Sequence, residues 1–513
     1  MSIRINKLII VLLLAGCVLS MPAMARSIVC VDADSVAVSP DGSSWANAYV
    51  YIEEAISATA GGNADIWVAE GTYIPDKTKY TSGAPGDNNF KLYEDVNLYG
   101  GFAGDEIVFE DRDPANNPTI LSGDGSPYRI IYAYNLYTIP PVIDGFTITD
   151  ARYGIYCQNS DITVSNCEVS DHSEDGVYCI SASNPVITDS TIRNNTQAGI
   201  YCSNGSPEIS RCKIQFNGED GIYINDSFTS GYDPVVTNCW IHDNDLSGIY
   251  FNQPGSDDVI RNNTIVNNNL SGSPTNGGIY SDDPDVRYFP NVSNTIVWGN
   301  LQNEIVNCEV GYSCVMGDAP GIGNHPCDPL FAYDPIGDPN NYDFHITAGS
   351  LCIDAGAADP NTYIEGELDI DGDDRVYNER IDIGADEFVP TVEPYKTRDF
   401  NGDGKIDELD LALLAAVWLS AEGDDDYDAK YDLDGSGGID NVDFARFAAE
   451  WLTYVKSANF DDAGAVNYLD LAIFEQTWLL QAGDGGFNEA CDLNASGNVD
   501  IDDLLSLAER WLN

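Results

Sequence analysis

The phrase Gly154-Ile155-Tyr156 returns as Gly176-Val177-Tyr178, Gly199-Ile200-Tyr201, Gly221-Ile222-Tyr223, Gly248-Ile249-Tyr250 and Gly278-Ile279-Tyr280, at steps of 22, 23, 22, 27 and 30 residues. A second phrase lies between the copies: Val164–Val169, Ile187–Ile192, Ile209–Ile214, Val236–Ile241 and Ile260–Ile265. A period of roughly 20 to 50 residues is the sign of a solenoid. Each phrase is short, β-branched and alternating, as a strand is, and Asn, Asp, Ser and Gly separate the phrases, as turns require. A unit of this size cannot bury its own apolar face. Stacking coil on coil at about 4.8 Å, each strand parallel to its counterpart, does so.

Columns of like residues follow. Cys157, Cys179 and Cys202 come just after the first phrase. Cys167, Cys212 and Cys239 form a second column, with Ser190 in its gap. Asn195, Asn217, Asn244 and Asn268 share a third position, held by His172 in the first coil. Inward asparagines satisfy turn backbone groups, and buried cysteines serve as small apolar residues. The longer steps predict bulging loops at 228–233, 254–258 and 272–277.

Working outward, Val29–Asp32 is a strand. A helix over Ala46–Ala58, with Ser44 as N-cap and Trp45, Tyr49, Ile52 and Ile56 on one face, would cap the open core. Ile66–Tyr73, Val96–Phe102, Thr119–Gly123, Ile130–Ala133 and Val142–Thr149 continue the coils. After Trp298 the ladder is expected to end. The stretches at 41–56, 66–76, 98–106, 119–125 and 142–150 ("DGSSWANAYVYIEEAI", "IWVAEGTYIPD", "LYGGFAGDE", "TILSGDG", "VIDGFTITD") resemble the opening of secreted bacterial right-handed parallel β-helix proteins of the pectin-lyase-like fold. The resemblance covers about residues 28–390. "DPLFAYDP", "YDFHITAGSLCIDAG" and "DIDGDDRVYNERIDIGADEF" resemble the closing module of the same proteins, about 301–390. Asp369, Asp371 and Asp373 invite calcium, but Asp374 stands where the loop glycine belongs and Arg380 where a closing acid would be. A structural Asp–Arg network is the alternative.

Residues 1–25 carry Arg4 and Lys7, an apolar run from Leu8 to Ala15, and Ala23-Met24-Ala25. That is a secretory signal; Leu14-Ala15-Gly16-Cys17 also resembles a lipobox, so lipid anchoring at Cys17 is the alternative to secretion. No later stretch is apolar enough to span a membrane. Net charge is −60, and −62 without the signal, with 21 basic against 83 acidic residues. Such a surface repels nucleic acid. Of the 13 cysteines, Cys308, Cys314, Cys327 and Cys352 lie in loop-rich sequence and are the disulfide candidates, with pairing left open.

The C-terminal region, beyond a linker at 391–398, holds four twelve-residue loops. The first offers Asp399, Asn401, Asp403, Lys405, Asp407 and Asp410. The second offers Asp432, Asp434, Ser436, Gly438, Asp440 and Asp443. The fourth offers Asp492, Asn494, Ser496, Asn498, Asp500 and Asp503. Oxygen ligands at positions 1, 3, 5, 9 and 12, with a backbone carbonyl at 7, are those of a calcium loop. The third loop, Asn459, Asp461, Asn467 and Asp470, is degraded: Ala463 fills position 5. Each loop leads into an apolar helix ending in Trp-Leu, at Trp418, Trp451, Trp478 and Trp511. With Asp at position 12, the pairs resemble two tandem type I dockerin modules, 399–454 and 455–513. In that family Ca2+ folds the module, which docks onto a cohesin. Partner choice in the family lies at loop positions 10 and 11, often Ser-Thr. Here those places hold Glu408-Leu409, Asn441-Val442, Tyr468-Leu469 and Ile501-Asp502, so the partner is a cohesin-like or surface protein.

The expected architecture is therefore mainly β: a parallel β-helix over 26–390, then two small all-α modules. Catalysis, if any, would be that of a polysaccharide lyase or glycoside hydrolase. The ladder offers Asp171, His172, Glu174, Asp175, Arg193, Glu219, Asp220, His242, Asp243 and Asp245, with Asp175 and Asp220 two coils and about 10 Å apart, a spacing open to an inverting pair. Arg211, Lys213, Asp257 and Asp258 do not follow the order of a polygalacturonase. These groups read as solvated surface charges, Arg211 and Lys213 as outward strand neighbours, and no catalytic residue is assigned. Two functions follow: a secreted carbohydrate-active or carbohydrate-binding β-helix held by a calcium-dependent tether, or a non-catalytic surface or adhesion protein on the same tether.

Overall fold

The computed structural model describes residues 26–80, 87–125, 128–225, 233–255, 258–285, 287, 289–317, 319–332, 342–357, 366–377 and 380–389, and beyond them 400, 408–417, 420, 427, 430, 431 and 439. The signal and lipobox at 1–25 lie outside the described residues, as do the bulge at 228–232 and Asp257. The chain divides into two compact units, Met1–Phe388 and Val389–Asn513.

The first unit is three parallel sheets of 11, 10 and 9 strands wound around one core. Each coil visits them in a fixed order. Thr163–Ser165 lies in sheet one, Glu168–Ser170 in sheet two and Val177–Ile180 in sheet three. Pairing is in register, so like residues stack: Tyr156 on Tyr178 on Tyr201 on Tyr223 on Tyr250 on Tyr280. One coil buries Ile200, Cys202, Ile209, Cys212 and Ile214. Each large aliphatic side chain so buried is worth about 1.5–3 kcal/mol, a gain available only with neighbouring coils in place.

The second phrase is two strands rather than one. A corner residue with left-handed backbone splits it: Asn166 (φ 50°), Asp189 (51°), Arg211 (50°), Asn238 (55°) and Asn262 (55°). Asn and Asp tolerate this conformation better than most residues. The same corner divides Val142–Thr149 into Val142–Asp144 and Phe146–Thr149 around Gly145 (φ 80°). Ile66–Tyr73 likewise becomes Ala64–Ala69 and Gly71–Tyr73. Arg211 is thus a corner residue and not a strand neighbour of Lys213; it binds Asp189 at 2.6 Å.

Two other expectations change. The N-terminal helix starts later, at Ile52–Thr59, with Tyr51 as N-cap. Ser44 precedes a 3-10 turn, Trp45–Asn47, and makes no capping hydrogen bond. Tyr49 is instead drawn into a parallel bridge with Val31, which fixes that stretch as extended chain. The ladder also outlasts Trp298 by a coil: Ile305–Val306, Glu309–Gly311 and Cys314–Val315 add one strand to each sheet. The closing segment then lies over the end of sheet two, where Phe344, Ile370 and Ala385 bury Trp240 and Val266. No helix among the described residues is long and apolar enough to cross a membrane.

Candidate functional site

The ladder glycine is set by close approach. A Cβ on Gly221 would lie 2.7 Å from the Gly248 carbonyl and 2.8 Å from Asn244 Nδ2. The asparagine column that presses on it is continuous. Asn195 Nδ2 donates to Asn217 Oδ1, Asn217 to Asn244 and Asn244 to Asn268, each at 2.9 Å, and Asn268 to Asn300 at 3.0 Å. Asn300, which the period did not reach, donates to Glu304 at 2.7 Å. His172 ends the column at the other side. Its Nδ1 accepts from Ala151 N–H at 3.2 Å, so Nε2 donates to the Ile148 carbonyl at 3.0 Å. Burial pushes its pKa down to about 4.

The second cysteine column also does more than fill space. Ser190 Oγ accepts from Cys167 N–H and Cys239 Sγ from Cys212 N–H; Asn263, Thr295 and Ser313 continue the role in later coils. Sequence reading missed these three because their side chains differ while their task is the same.

The candidate acids of the ladder are mostly engaged. Asp175 and Asp220 are buried and accept from the backbone N–H of Ala198 (3.0 Å) and Ser247 (2.7 Å) in the next coil. Burial raises both to about 7. His242 is buried against Asp243 at 2.7 Å, with Phe216, Tyr342 and Phe344 around its ring. Asp258 is fully buried and accepts from Gly255 N–H. The reading of these groups as solvated charges is therefore corrected: each carries a coil-to-coil or turn contact. Glu174 pairs with Arg152 and Arg193 with Glu168; Asp171, Glu219 and Asp245 are exposed.

Two outward surfaces remain. On sheet three the tyrosine rings stack face to face, 4.8 Å apart from Tyr178 to Tyr201 and 5.2 Å from there to Tyr223 and on to Tyr250, within 15° of parallel. The ring faces are spent on one another, so the strip offers edges and hydroxyls, a hydrogen-bonding surface rather than a stacking platform. On sheet two, bare strand meets the closing segment at a charged step. Lys213 Nζ lies 4.5 Å from the Trp240 ring centroid. Beside Trp240, His345 is held between Asp343 and Asp371, with Asp386 at 4.0 Å. The hydrogen bond to Asp371 raises His345 to about 9, so it is a cation at neutral pH, while burial lifts Asp386 to about 6. A carboxyl tuned upward beside an ionised one is acid–base equipment in kind. Only tertiary structure assembles it, since Asp343 and His345 lie far from Asp371 in sequence. Asp369 itself is buried and caps the N–H groups of Asp371, Asp373 and Glu387. That is a structural role, met by backbone rather than by arginine.

In the second unit, Glu408–Ala416 is a helix. Leu414, Tyr431 and Ile439 form a small core with Phe400 and Leu411 against it. Of the calcium-loop residues only Asp410 falls within a described element, and its side chain is not described; all the others lie outside the described residues, as does the whole of 455–513.

Residues 130–310 match the description "Right handed beta helix region" and residues 397–449 "Dockerin type I domain". No curated protein matches the chain. Solved structures similar to it include pectate lyase Pel9A, 16% identical with a TM-score of 0.45 over 71% of this chain and 96% of that one. Another is the mannuronan C-5 epimerase AlgE4 A-module of Azotobacter vinelandii, 15% identical with a TM-score of 0.32 over 57% and 94%. A third is a mutant of the periplasmic alginate epimerase AlgG, 16% identical with a TM-score of 0.29 over 55% and 62%. With its three in-register parallel sheets and these two matched regions, the chain carries a right-handed parallel β-helix followed by a type I dockerin module.

Proposed function

We propose that the β-helix is an exported carbohydrate-binding or carbohydrate-processing scaffold, held through calcium-dependent dockerin modules to a cohesin-like or surface partner. The observation that carries this is the dockerin match at 397–449 behind a long solenoid. A dockerin is a docking module, so the solenoid is the part it delivers. The step at Lys213, His345, Asp371 and Asp386 is where a glycan would be gripped, because His345 and Asp371 are partly open to solvent while Asp175, Asp220 and His242 are committed to internal contacts. Its ligand is a sugar chain with hydroxyls to share and few negative charges, given a net charge of −60.

Calcium would be held by the loops at 399–410, 432–443 and 492–503, with 459–470 as the weak one. Its part is to neutralise clustered carboxylates so that the modules fold.

A non-catalytic surface role on the same tether is favoured by one observation: Asp175, Asp220 and His242 are all committed to internal contacts. A panel of neutral and acidic polysaccharides separates the readings, scored for reducing ends, for absorbance of unsaturated products and for retention. Retention lost on Asp371→Asn supports the step. No product and no retention on any glycan overturns the carbohydrate reading. A pull-down in calcium, with and without 399–513, tests the tether.

A further inference from the structure

Three thiols from three separate segments meet where the closing segment joins the last coil. Cys314 begins the final strand of sheet two, Cys327 follows the run that pairs His325 with Cys314, and Cys352 sits in the turn after Ser350. Their sulfur atoms all lie within 4.8 Å of one another. Cys314 and Cys352 are buried and Cys327 is half-buried, in an apolar shell that includes Ile296, Ile346 and Ile383. The repeat does not explain them. The ladder cysteines stack because their strands are in register, whereas these three share no coil position.

Geometry and number both argue against a simple bridge. Cys314 Sγ and Cys327 Sγ are 3.7 Å apart, where a disulfide needs about 2.05 Å. Two thiolates bound at about 2.3 Å to one tetrahedral ion stand roughly 3.7–3.8 Å apart. One disulfide would also leave the third thiol over. Cys308, the other candidate of this region, is not in the group; its thiol donates to the Val306 carbonyl.

We propose that Cys314, Cys327 and Cys352 form a three-thiolate site for a thiophilic metal ion of the zinc type, with a fourth position left for water or an outside ligand. Binding releases three protons to solvent and leaves a trithiolate complex of a dication with one net negative charge. With no cation, hydrogen bonding to its neighbours and burial hold the Cys327 and Cys352 thiols well above their ordinary range. A dication reverses that preference, so affinity rises with pH. The ion would staple the last coil, the run at 319–332 and the closing segment to one another. This uses neither the charged step nor the calcium loops.

The test uses the full chain, reduced, stripped with chelator and titrated with Co2+. One equivalent should give a thiolate-to-cobalt charge-transfer band with visible bands of tetrahedral intensity, displaced by Zn2+. Carboxylate loops cannot give the thiolate band, so failure here is distinct from failure of the calcium tether. Cys327→Ser, at the half-buried position, should lower the intensity of the charge-transfer band by about a third or more, one thiolate of three being lost, and weaken Zn2+ binding, with the β-sheet circular dichroism retained. Cys308→Ser should leave the band unchanged. Should Cys327→Ser not fold, alkylation of the unaltered protein decides: Zn2+ must protect these three thiols. No band, a band of unchanged intensity in Cys327→Ser, absence of protection, or, in the protein before reduction, an intact mass short by two hydrogens with two of the three thiols blocked would overturn the site, the last by showing a disulfide.

Discussion

Protonation acts in opposite directions on the buried groups of the ladder. His172 has a folded pKa of about 4, below its ordinary 6.5. Its contribution is present above pH 6.5 and is lost as pH falls towards 4, because the unfolded ring takes a proton that the folded one refuses. Asp175 and Asp220, at about 7 against 3.8, contribute fully below pH 4 and lose that contribution as pH rises through 7. Asp220→Asn keeps an oxygen for Ser247 N–H without the buried charge. The expected result is a melting temperature at pH 8 raised by about 2–4 °C for each kcal/mol of relieved charge, and little change at pH 4. A lower melting temperature at pH 8 would mean that the carboxylate is required as an anion. His172→Asn, which restores the residue used by the other coils, should flatten the loss of stability between pH 6.5 and 4 in the same melts.

At the scale of the coil, the glycine of the Gly-Ile-Tyr phrase is a packing requirement. Gly221→Ala sets a methyl group against backbone and amide atoms of the next coil, and overpacking of this kind costs about 1–3 kcal/mol. Urea unfolding should show a lower midpoint with an unchanged slope. The repeat, the tyrosine stack and the asparagine column were legible because each is one residue type at one interval. The corners were less so: Asn166, Asp189, Arg211 and Asn238 share a backbone angle and not a side chain. A trace was present nonetheless. Val164 and Cys167 both face the core three positions apart, a slip from the strict alternation that holds from Cys167 to Val169. The charged step left no such trace. His345 and Asp371 meet because the chain folds back over sheet two, and local pattern does not record that.

At the scale of the whole chain, two kinds of cohesion are joined. The solenoid is held by its apolar core and by hydrogen bonds between coils. The region 399–513 carries 26 acidic and 5 basic residues, and self-repulsion of that order opposes compaction without bound cations. Chelation should therefore remove the helical circular dichroism of 399–513 and leave the β-sheet signal; a spectrum unchanged by chelator would refute the calcium reading. Deleting 342–389 should instead spare the helical signal. It would uncover Trp240, Val266 and Ile296, an apolar patch of the kind that drives association, and light scattering should report larger particles.

The asparagine column also has a direction. Every amide from Asn195 to Asn268 donates towards the next coil, so the individual dipoles add head to tail, as peptide units do along a helix. Its positive pole falls at Asn300, where a Glu304 carboxyl oxygen accepts the last hydrogen bond. The solenoid thus has an internal polarity, built from side chains and terminated by an acid. A charge change at Glu304 would be felt along a line of amides several coils long.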